Sequence, residues 1–281
     1  MNGKEIEFQR DVDAVDAARY DAFFRAGPGM SAEDAAAAHG ERPALRRYDE
    51  ALEKVAAEAG AAAVAPGSPP AAWLVYNAGL VVKTPRSLFA LDLSHRRGAT
   101  LAPALDFALV THNHADHMSP GLAEAMDRDG KTVVSNFMAN YGAHRGGKRP
   151  GGYARGEKTL ALFDVSVRCT PSDHNGYLVD FTTAFEIDFG GFTIYHTGDS
   201  SNLAKLSPTR PPDLWVVHPR CGLDVAEGVA KFRPRRVAIV HLCEMGHSQW
   251  RWTLADGHEE AGRVRAAGAE AFVPLWGERI L

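Results

Sequence analysis

The sequence predicts an α/β protein in which helices cover mixed β-sheets, and two observations lead to this prediction. From Ala71 onward, short apolar runs alternate with Gly, Pro, Asn and Asp, a pattern typical of strands and turns. The runs AFEIDF and FTIYHTGDS flank the hairpin signature Gly190-Gly191, whereas DLWVVHP and RRVAIVHL are separated by the helical segment DVAEGVAKF. Hairpins pair strands antiparallel and strand–helix–strand units pair them parallel, so the fold is expected to be layered and mixed.

The first 65 residues have helical character. Ser31 is a plausible N-cap for AEDAAAAH, which Gly40 ends, and Pro43 suits the first turn of a second helix that ends at Gly60. Apolar residues recur at helical spacing in this second helix, which predicts that it packs against an apolar surface. They are Leu45, Tyr48, Leu52 and Val55.

A linker is predicted between the helical stretch and the strands. Residues 61–70, AAAVAPGSPP, have linker composition, so we divide the chain into a helical N-terminal extension, residues 1–70, and a β-rich domain, residues 71–281. The helices of the extension could form a dimer surface, a lid, or a layer packed on the flank of the domain. A homo-oligomer formed through these helices is therefore one prediction.

Composition excludes several classes of function. The 281 residues are 45% hydrophobic and 23% charged, as in ordinary globular proteins, and the net charge of −4 disfavours a nucleic-acid partner. No apolar run approaches the roughly 20 residues that a membrane span requires, and no secretory signal is visible. Three cysteines, without paired spacing, suggest thiols in a reducing compartment. We therefore expect a cytoplasmic protein without membrane contact.

Helix starts are marked by capping residues in three places. Ser119 and Pro120 precede GLAEAMDRD, which Gly130 ends. Asp224 is expected to cap the helical segment DVAEGVAKF, of which it is the first residue, with Glu227 three positions on. Asp256, again with an acidic residue three positions later, is expected to cap the last helix.

The segment THNHADHMSP places His112, His114, Asp116 and His117 directly after the apolar run LDFALV. A single histidine at a strand end needs no explanation beyond solvation. Several imidazoles and a carboxylate within six positions, however, are typical of a metal site. The segment is therefore predicted to bind metal.

Three further polar residues follow apolar runs elsewhere in the chain: His174, Asp199 and His241. Residues at strand ends can converge without disturbing a core, and imidazole with carboxylate suits zinc, iron or manganese. One four-coordinate site would then use one solvent oxygen and three histidines: His112, His114 and His174. A second site beside it would use Asp116, His117 and His241, with Asp199 bridging.

These residues resemble the metallo-β-lactamase superfamily, whose pattern is HxHxDH followed by a distant His, an Asp and a final His. The resemblance covers about residues 72–281, and it extends to the segments FGGFTIYHTGDS and VPLWGERI. It implies a four-layered αββα sandwich, with two divalent metal ions at the edge between the sheets. The branch that the sequence resembles contains ascorbate-6-phosphate lactonase and related metallohydrolases. Zinc is the expected metal, with manganese and iron as alternatives.

Such a pair of ions favours hydrolysis, because it can lower the pKa of a bridging water toward neutrality and polarise a carbonyl or phosphoryl oxygen. As the resemblance suggests, Asp116 would be both a ligand and the group that orients the nucleophile or accepts its proton. The predicted substrate is small and ester-like, with a lactone or phosphoester favoured over an amide. His196 is assigned either a substrate-contacting, catalytic role or a structural one.

Substrate contacts are predicted in the loop GHSQWRW, which follows the last metal ligand. His247, Trp250 and Arg251 would suit a small molecule with an anionic group, although paired tryptophans more often anchor a loop on the core. The basic, glycine-rich residues 144–156 could fold over a phosphate or carboxylate, or remain a solvated loop. Three histidines without motif context are expected to be structural, and two cysteines near the site are not expected to bind metal. These are His95, His218 and His258, and Cys221 and Cys243.

Three alternative functions stay open. The same scaffold can hold two irons for redox chemistry, although no flavin module is recognisable in the sequence. A nuclease of the RNase Z kind would share the metal ligands but would need a basic face. A catalytically silent scaffold would be expected to have lost ligands, and this chain retains all seven.

Overall fold

In the computed structural model, residues 1–15, 43–135, 156–176, 178–246 and 251–281 are described. Five α-helices lie within these ranges: α1 Gly3–Asp13, α2 Pro43–Ala61, α3 Pro120–Arg128, α4 Val225–Phe232 and α5 Leu254–Ala266. The strands of the first half are β1 Ala71–Tyr76, β2 Gly79–Lys83, β3 Leu88–Leu91, β4 Phe107–Leu109 and β5 Thr132–Val134. Those of the second half are β6 Lys158–Leu162, β7 Val165–His174, β8 Leu178–Asp188, β9 Thr193–His196, β10 Leu214–Val217, β11 Arg236–Ile239 and β12 Glu270–Phe272.

The strands form two mixed sheets. The first has the order β1-β2-β3-β4-β5, with antiparallel pairs up to β3 and parallel pairs from β3 to β5. The second has the order β12-β11-β10-β9-β8-β7-β6, parallel from β12 to β9 and antiparallel from β9 to β6. Both expected kinds of pairing are present, and each sheet changes from antiparallel to parallel within its strand order.

Helices cover both sheets, which confirms the predicted fold class. Helix α2 packs on β1 and β2, and α3 packs beside β5. On the other side α5 packs on β11 and β12, with α4 against α5. Buried side chains from the two sheets and all five helices form one continuous hydrophobic core.

The apolar stripe of α2 is buried in this common core. Leu45, Tyr48 and Val55 are fully buried and Leu52 is 2% exposed. The Tyr48 ring meets the ring of Tyr76 edge-on at a centroid distance of 4.8 Å. Of the three roles considered for the N-terminal helices, the described residues show packing on the flank of the sheets. A homo-oligomer remains a prediction.

Local signals in the sequence were mostly right. Ser119 and Asp224 are the N-caps of α3 and α4, and Gly190 and Gly191 both have positive φ between Phe189 and Phe192, whose backbones are hydrogen-bonded. The predicted cap at Asp256 was wrong. Thr253 is the N-cap of α5, because its hydroxyl accepts a hydrogen bond from the backbone of Asp256 in a capping box, and the helix therefore starts earlier, at Leu254.

The long hairpin of β7 and β8 was not foreseen as such, because its alternation of polar and apolar residues is interrupted by CTPSDH. Several predictions fall outside the described residues. They concern Ser31 and Gly40, most of the basic segment 144–156, and His247 and Trp250. Within the described ranges, no helix combines the length and the apolarity that crossing a bilayer requires.

We predict that Leu52→Ala lowers the free energy of unfolding by about 2–5 kcal/mol, because it leaves a cavity between α2 and the first sheet. Urea denaturation of the full chain measures this loss. Lys54→Ala, at an exposed position of the same helix, is the matched control and should change stability little. Equal stability of the two variants would show that α2 does not pack as described.

Candidate metal centre

Strand ends bring the predicted ligands together at one edge of the molecule. The segment that begins at His112 follows β4, Asp199 follows β9, and His241 follows β11. His174 is the last residue of β7, in the same sheet as β9 and β11. Because parallel strands end at the same edge of a sheet, the loops that follow them converge there.

The first ligand group consists of three histidines. The ligand nitrogens of His112, His114 and His174 lie within 4.8 Å of one another. His112 and His174 are buried, at 0% and 3% exposure. Among the described residues no hydrogen-bond partner exists for Nε2 of His112 or for either ring nitrogen of His174. A buried polar atom without a partner is costly, so these nitrogens fit a metal ion.

The second group contains Asp116, His117, Asp199 and His241, again with ligand atoms within 4.8 Å of one another. His241 Nε2 lies 2.8 Å from Asp116 Oδ2 and 3.2 Å from His117 Nε2. Two nitrogens and carboxylate oxygens at this spacing are the donor set that zinc, manganese and iron accept. The second group therefore also fits a metal ion.

Asp199 lies between the two groups. Its Oδ2 is 3.3 Å from His174 Nε2 and 3.9 Å from His112 Nε2, whereas its Oδ1 is 3.0 Å from His117 Nε2. One carboxylate thus faces both groups, as predicted for a bridging ligand. Gly198, at φ +50°, makes this position reachable, because a Cβ there would lie 2.6 Å from the Thr111 hydroxyl.

Charge in the site is balanced between imidazoles and carboxylates. Burial holds the pKa of His112 well below its usual value. For His117 burial acts in the same direction, but the carboxylates of Asp199, Asp116 and Asp92 outweigh it and raise the pKa. Despite burial, the same imidazole lowers the pKa values of Asp116 and Asp199. These carboxylates therefore stabilise a proton on His117, and a bound cation would displace it.

Two residues that support the ligands were not singled out as functional from the sequence. Asp92, at the end of β3, accepts hydrogen bonds from His117 Nδ1 at 2.8 Å and from the hydroxyl of Thr111 at 2.7 Å. Asn77 donates to the carbonyl oxygen of Asp116 at 3.2 Å and accepts from the backbone of His241 at 3.0 Å. Partners of this kind fix the orientation of metal ligands. Asp92 directly follows an apolar strand, a feature that could have identified it from the sequence, whereas no feature of the sequence singles out Asn77.

His218, expected from the sequence to be structural, contacts two of the predicted ligands. Its Nδ1 donates to Asp199 Oδ1 at 2.9 Å, and its ring stacks on that of His241 at 3.7 Å. Burial, followed by the charge of His241, lowers its pKa to about 4, so the ring is neutral near pH 7. His218 follows β10 directly, so the strand-end signal that identified His241 could have identified it too.

His196 has no place in the site that would support catalysis. It is 1% exposed, its Nε2 donates to the carbonyl oxygen of Ala78 at 3.0 Å, and its Nδ1 accepts from the backbone of Gly198 at 3.2 Å. Both ring nitrogens are occupied, and the ring does not line the cavity described below. Of the two roles considered for His196, these contacts favour the structural one, because the ring holds the turn before Asp199.

The other two histidines make contacts typical of structural residues. His95 is fully buried and stacked on Tyr48 at 3.7 Å, with its Nε2 3.0 Å from the Tyr48 carbonyl oxygen. His258 Nε2 lies 3.1 Å from Glu5 and ties α5 to α1.

A cavity of about 610 Å³ opens above the two ligand groups. Arg251 is among its lining residues, and its guanidinium also donates to the carbonyl oxygens of Glu244 and Val12, both at 2.9 Å. Arg220 was not foreseen, and its guanidinium lies 5.8 Å from the Trp252 ring centre. The cavity is lined by His114, Asp116, His174, Asn175, Asp199, His218, Arg220, Cys221, His241, Glu244, Arg251 and Trp252.

Comparison with known proteins places the chain in a family. Residues 73–268, more than half of the chain, match the model of the beta-lactamase superfamily domain. The chain therefore belongs to the beta-lactamase superfamily, in its metallo-β-lactamase-fold form. A relative from Carboxydothermus hydrogenoformans, named a UPF0173 metal-dependent hydrolase, is 28% identical and covers 75% of this chain and 96% of its own. The prediction of a metallo-β-lactamase-fold enzyme is thus confirmed.

Solved structures support the same fold. A metallo hydrolase from Ignicoccus hospitalis aligns with a TM-score of 0.58 at 21% identity, over 75% of this chain and 98% of its own. CmlA, a diiron β-hydroxylase from Streptomyces venezuelae, aligns with a TM-score of 0.55 at 18% identity, over 77% of this chain and 54% of its own. These identities are low, so the alignments bear on the fold alone.

We predict that His218→Phe weakens zinc binding about 10- to 100-fold, because the ring that orients Asp199 no longer donates a hydrogen bond. Competition with a chromophoric chelator measures the affinity. His218→Asn is the matched variant, since its amide nitrogen can occupy the place of Nδ1, and it should retain most of the affinity. If both variants bind zinc equally well, the hydrogen bond has no part in metal binding.

Proposed function

We propose that this protein is a dinuclear metal-dependent hydrolase acting on a small, ester-like substrate. The observation that carries the proposal is the single carboxylate of Asp199, which faces two separate ligand groups at the floor of one cavity. When bound there, two divalent ions would activate water as a nucleophile and polarise the scissile bond. Zinc is the proposed metal, because imidazole supplies five of the seven ligands of the two groups.

Among the chain's own residues, Asp116 would orient the nucleophile. Asp116 borders the cavity, and its side chain receives hydrogen bonds from His241 and, more weakly, from Asn77 at 3.5 Å. Its pKa lies below the usual range, because His117 and His241 outweigh the effect of burial, so it is ionised near neutral pH. An ionised carboxylate held in one orientation can align a nucleophile by accepting a hydrogen bond from it.

An anionic substrate fits the wall of the cavity. Arg220 is exposed at the rim, beside the face of Trp252, where a guanidinium can pair with a carboxylate or phosphate. Arg251 contributes positive charge from deeper in the wall. A volume of about 610 Å³ suits a small molecule. A lactone or phosphoester is the proposed substrate class, in line with the resemblance to the lactonase branch. The three free cysteines suit a reducing compartment, which is the proposed location of the protein.

Iron-based oxidation is the second candidate, because imidazole and carboxylate ligands also accept iron. The two candidates differ in the metal that the protein acquires. Elemental mass spectrometry on protein purified without added metal should give about two zinc ions per chain. Two irons would redirect the proposal to oxygen chemistry, and no metal would contradict both candidates.

We predict that Asp116→Ala lowers kcat by about 10²-fold or more on any substrate found in a panel of lactones and phosphodiesters, because the carboxylate that aligns the nucleophile and belongs to the second ligand group is lost. Asp129→Ala, exposed at the end of α3, is the control and should keep full activity. Near-normal turnover by the Asp116 variant would rule out the proposed mechanism.

We also predict that Arg220→Gln raises KM for an anionic substrate about tenfold or more, because a hydrogen bond to a charged group contributes about 1.5–3 kcal/mol. For a neutral analogue of that substrate KM should stay the same. Arg128→Gln, in the last turn of α3, removes the same charge away from the cavity and serves as the control. An equal rise in KM for charged and neutral substrates would argue against anion recognition by Arg220.

A further inference from the structure

A third group of possible ligands lies at the rim of the metal centre, and it contains a thiol. The ligand atoms of His174, Asp199 and Cys221 lie within 4.8 Å of one another. Cys221 is 7% exposed and lines the cavity, and its Sγ is 3.3 Å from His218 Nδ1. This thiol therefore faces the site and does not pack into the apolar core.

The local backbone explains how the thiol reaches this place. His218 directly follows β10, and the short 3₁₀ turn Pro219–Cys221 comes next. The turn brings Cys221 Sγ back to 3.3 Å from Nδ1 of His218, the residue before the turn. Gly222, at φ +100°, then turns the chain away. The thiol is thus held in place by a strand end and a turn.

The other two cysteines provide an internal comparison. Cys169 is fully buried within β7, and Cys243 is fully buried with its Sγ 3.3 Å from Gln9. Among the described residues neither belongs to a metal-compatible group, and neither lines the cavity. Only Cys221 shares a group with His174, whose two buried nitrogens have no hydrogen-bond partner in the described parts of the chain.

We infer that Cys221 is a thiolate ligand of the ion held between His174 and Asp199. The inference rests on the proposed dinuclear function and adds a ligand to it. As the sulfur–metal bond forms, the S–H bond breaks and its proton passes to solvent, so one dication replaces one proton. A thiolate is a soft ligand, and it favours zinc or cobalt over manganese or magnesium. The two metal positions would then differ chemically, one with sulfur and one without.

Cobalt titration of the metal-free full chain tests this, because a cobalt–thiolate bond gives a near-ultraviolet charge-transfer band that imidazole and carboxylate ligands do not give. The wild-type protein should bind about two cobalt ions and show this band together with the visible bands of tetrahedral cobalt. Cys221→Ser should lose the near-ultraviolet band and keep the visible ones. Cys169→Ser and Cys243→Ser, at the two comparison cysteines, should retain both sets of bands.

Each other result overturns the inference in a distinguishable way. Two bound cobalt ions without the near-ultraviolet band would remove Cys221 from the site and leave the dinuclear hydrolase standing. No cobalt binding would contradict the proposed function and the inference together. A band that persists in Cys221→Ser would assign it to another thiol. Should that variant not fold, the double variant Cys169→Ser/Cys243→Ser, with Cys221 as its single cysteine, must show the band.

Discussion

The buried carboxylate of Asp199 is the constraint on which the site depends. Imidazoles surround it, and four of them approach it within 4 Å from the two ligand groups: His112, His117, His174 and His241. A fifth, His218, donates to it from β10. An ionised carboxylate taken out of water costs several kcal/mol unless it is paired, so these partners stabilise one another. Moving Asp199 would leave several buried polar groups without partners.

Supporting contacts transmit this constraint to both sheets. Asp92, from the first sheet, orients His117 and receives the backbone N–H of Thr111 at 2.7 Å. The carbonyl oxygen of Thr111 in turn accepts from Thr183 of β8 at 2.9 Å, so the two sheets are hydrogen-bonded beside the metal centre. The ligands of the second sheet therefore meet those of the first only when the sheets pack in this register. The geometry of the metal site therefore depends on how the two sheets pack against each other.

The N-terminal helix α1 belongs to the same support. Gln9 accepts a hydrogen bond from the backbone of Leu254 at 2.8 Å, and the carbonyl oxygen of Val12 accepts one from Arg251. Arg251 also holds the carbonyl oxygen of Glu244, three residues past His241. The start of the chain is thereby tied to the segment that carries the last ligand of the second group. A boundary at residue 70, drawn from composition, separates parts that share one core.

Sequence alone determined the elements whose causes are local. Caps at Ser119 and Asp224, the Gly190-Gly191 hairpin and the apolar stripe of α2 follow from short-range hydrogen bonds, backbone freedom and helical period, which are legible in a few residues. The predicted ligand positions also have a local cause, because each ends or follows an apolar run. Resemblance to a family then supplied their grouping.

Tertiary structure decided which polar residues meet. His218 and Cys221 lie at the centre because β10 neighbours β9 and β11, and that adjacency is set by packing and not by sequence spacing. His196 was assigned to catalysis from its place in the chain, yet the neighbouring loop at Ala78 occupies its ring. The sequence by itself determined what each residue could donate or accept. Only the packed sheets decided which partner it found, because those partners lie far apart along the chain.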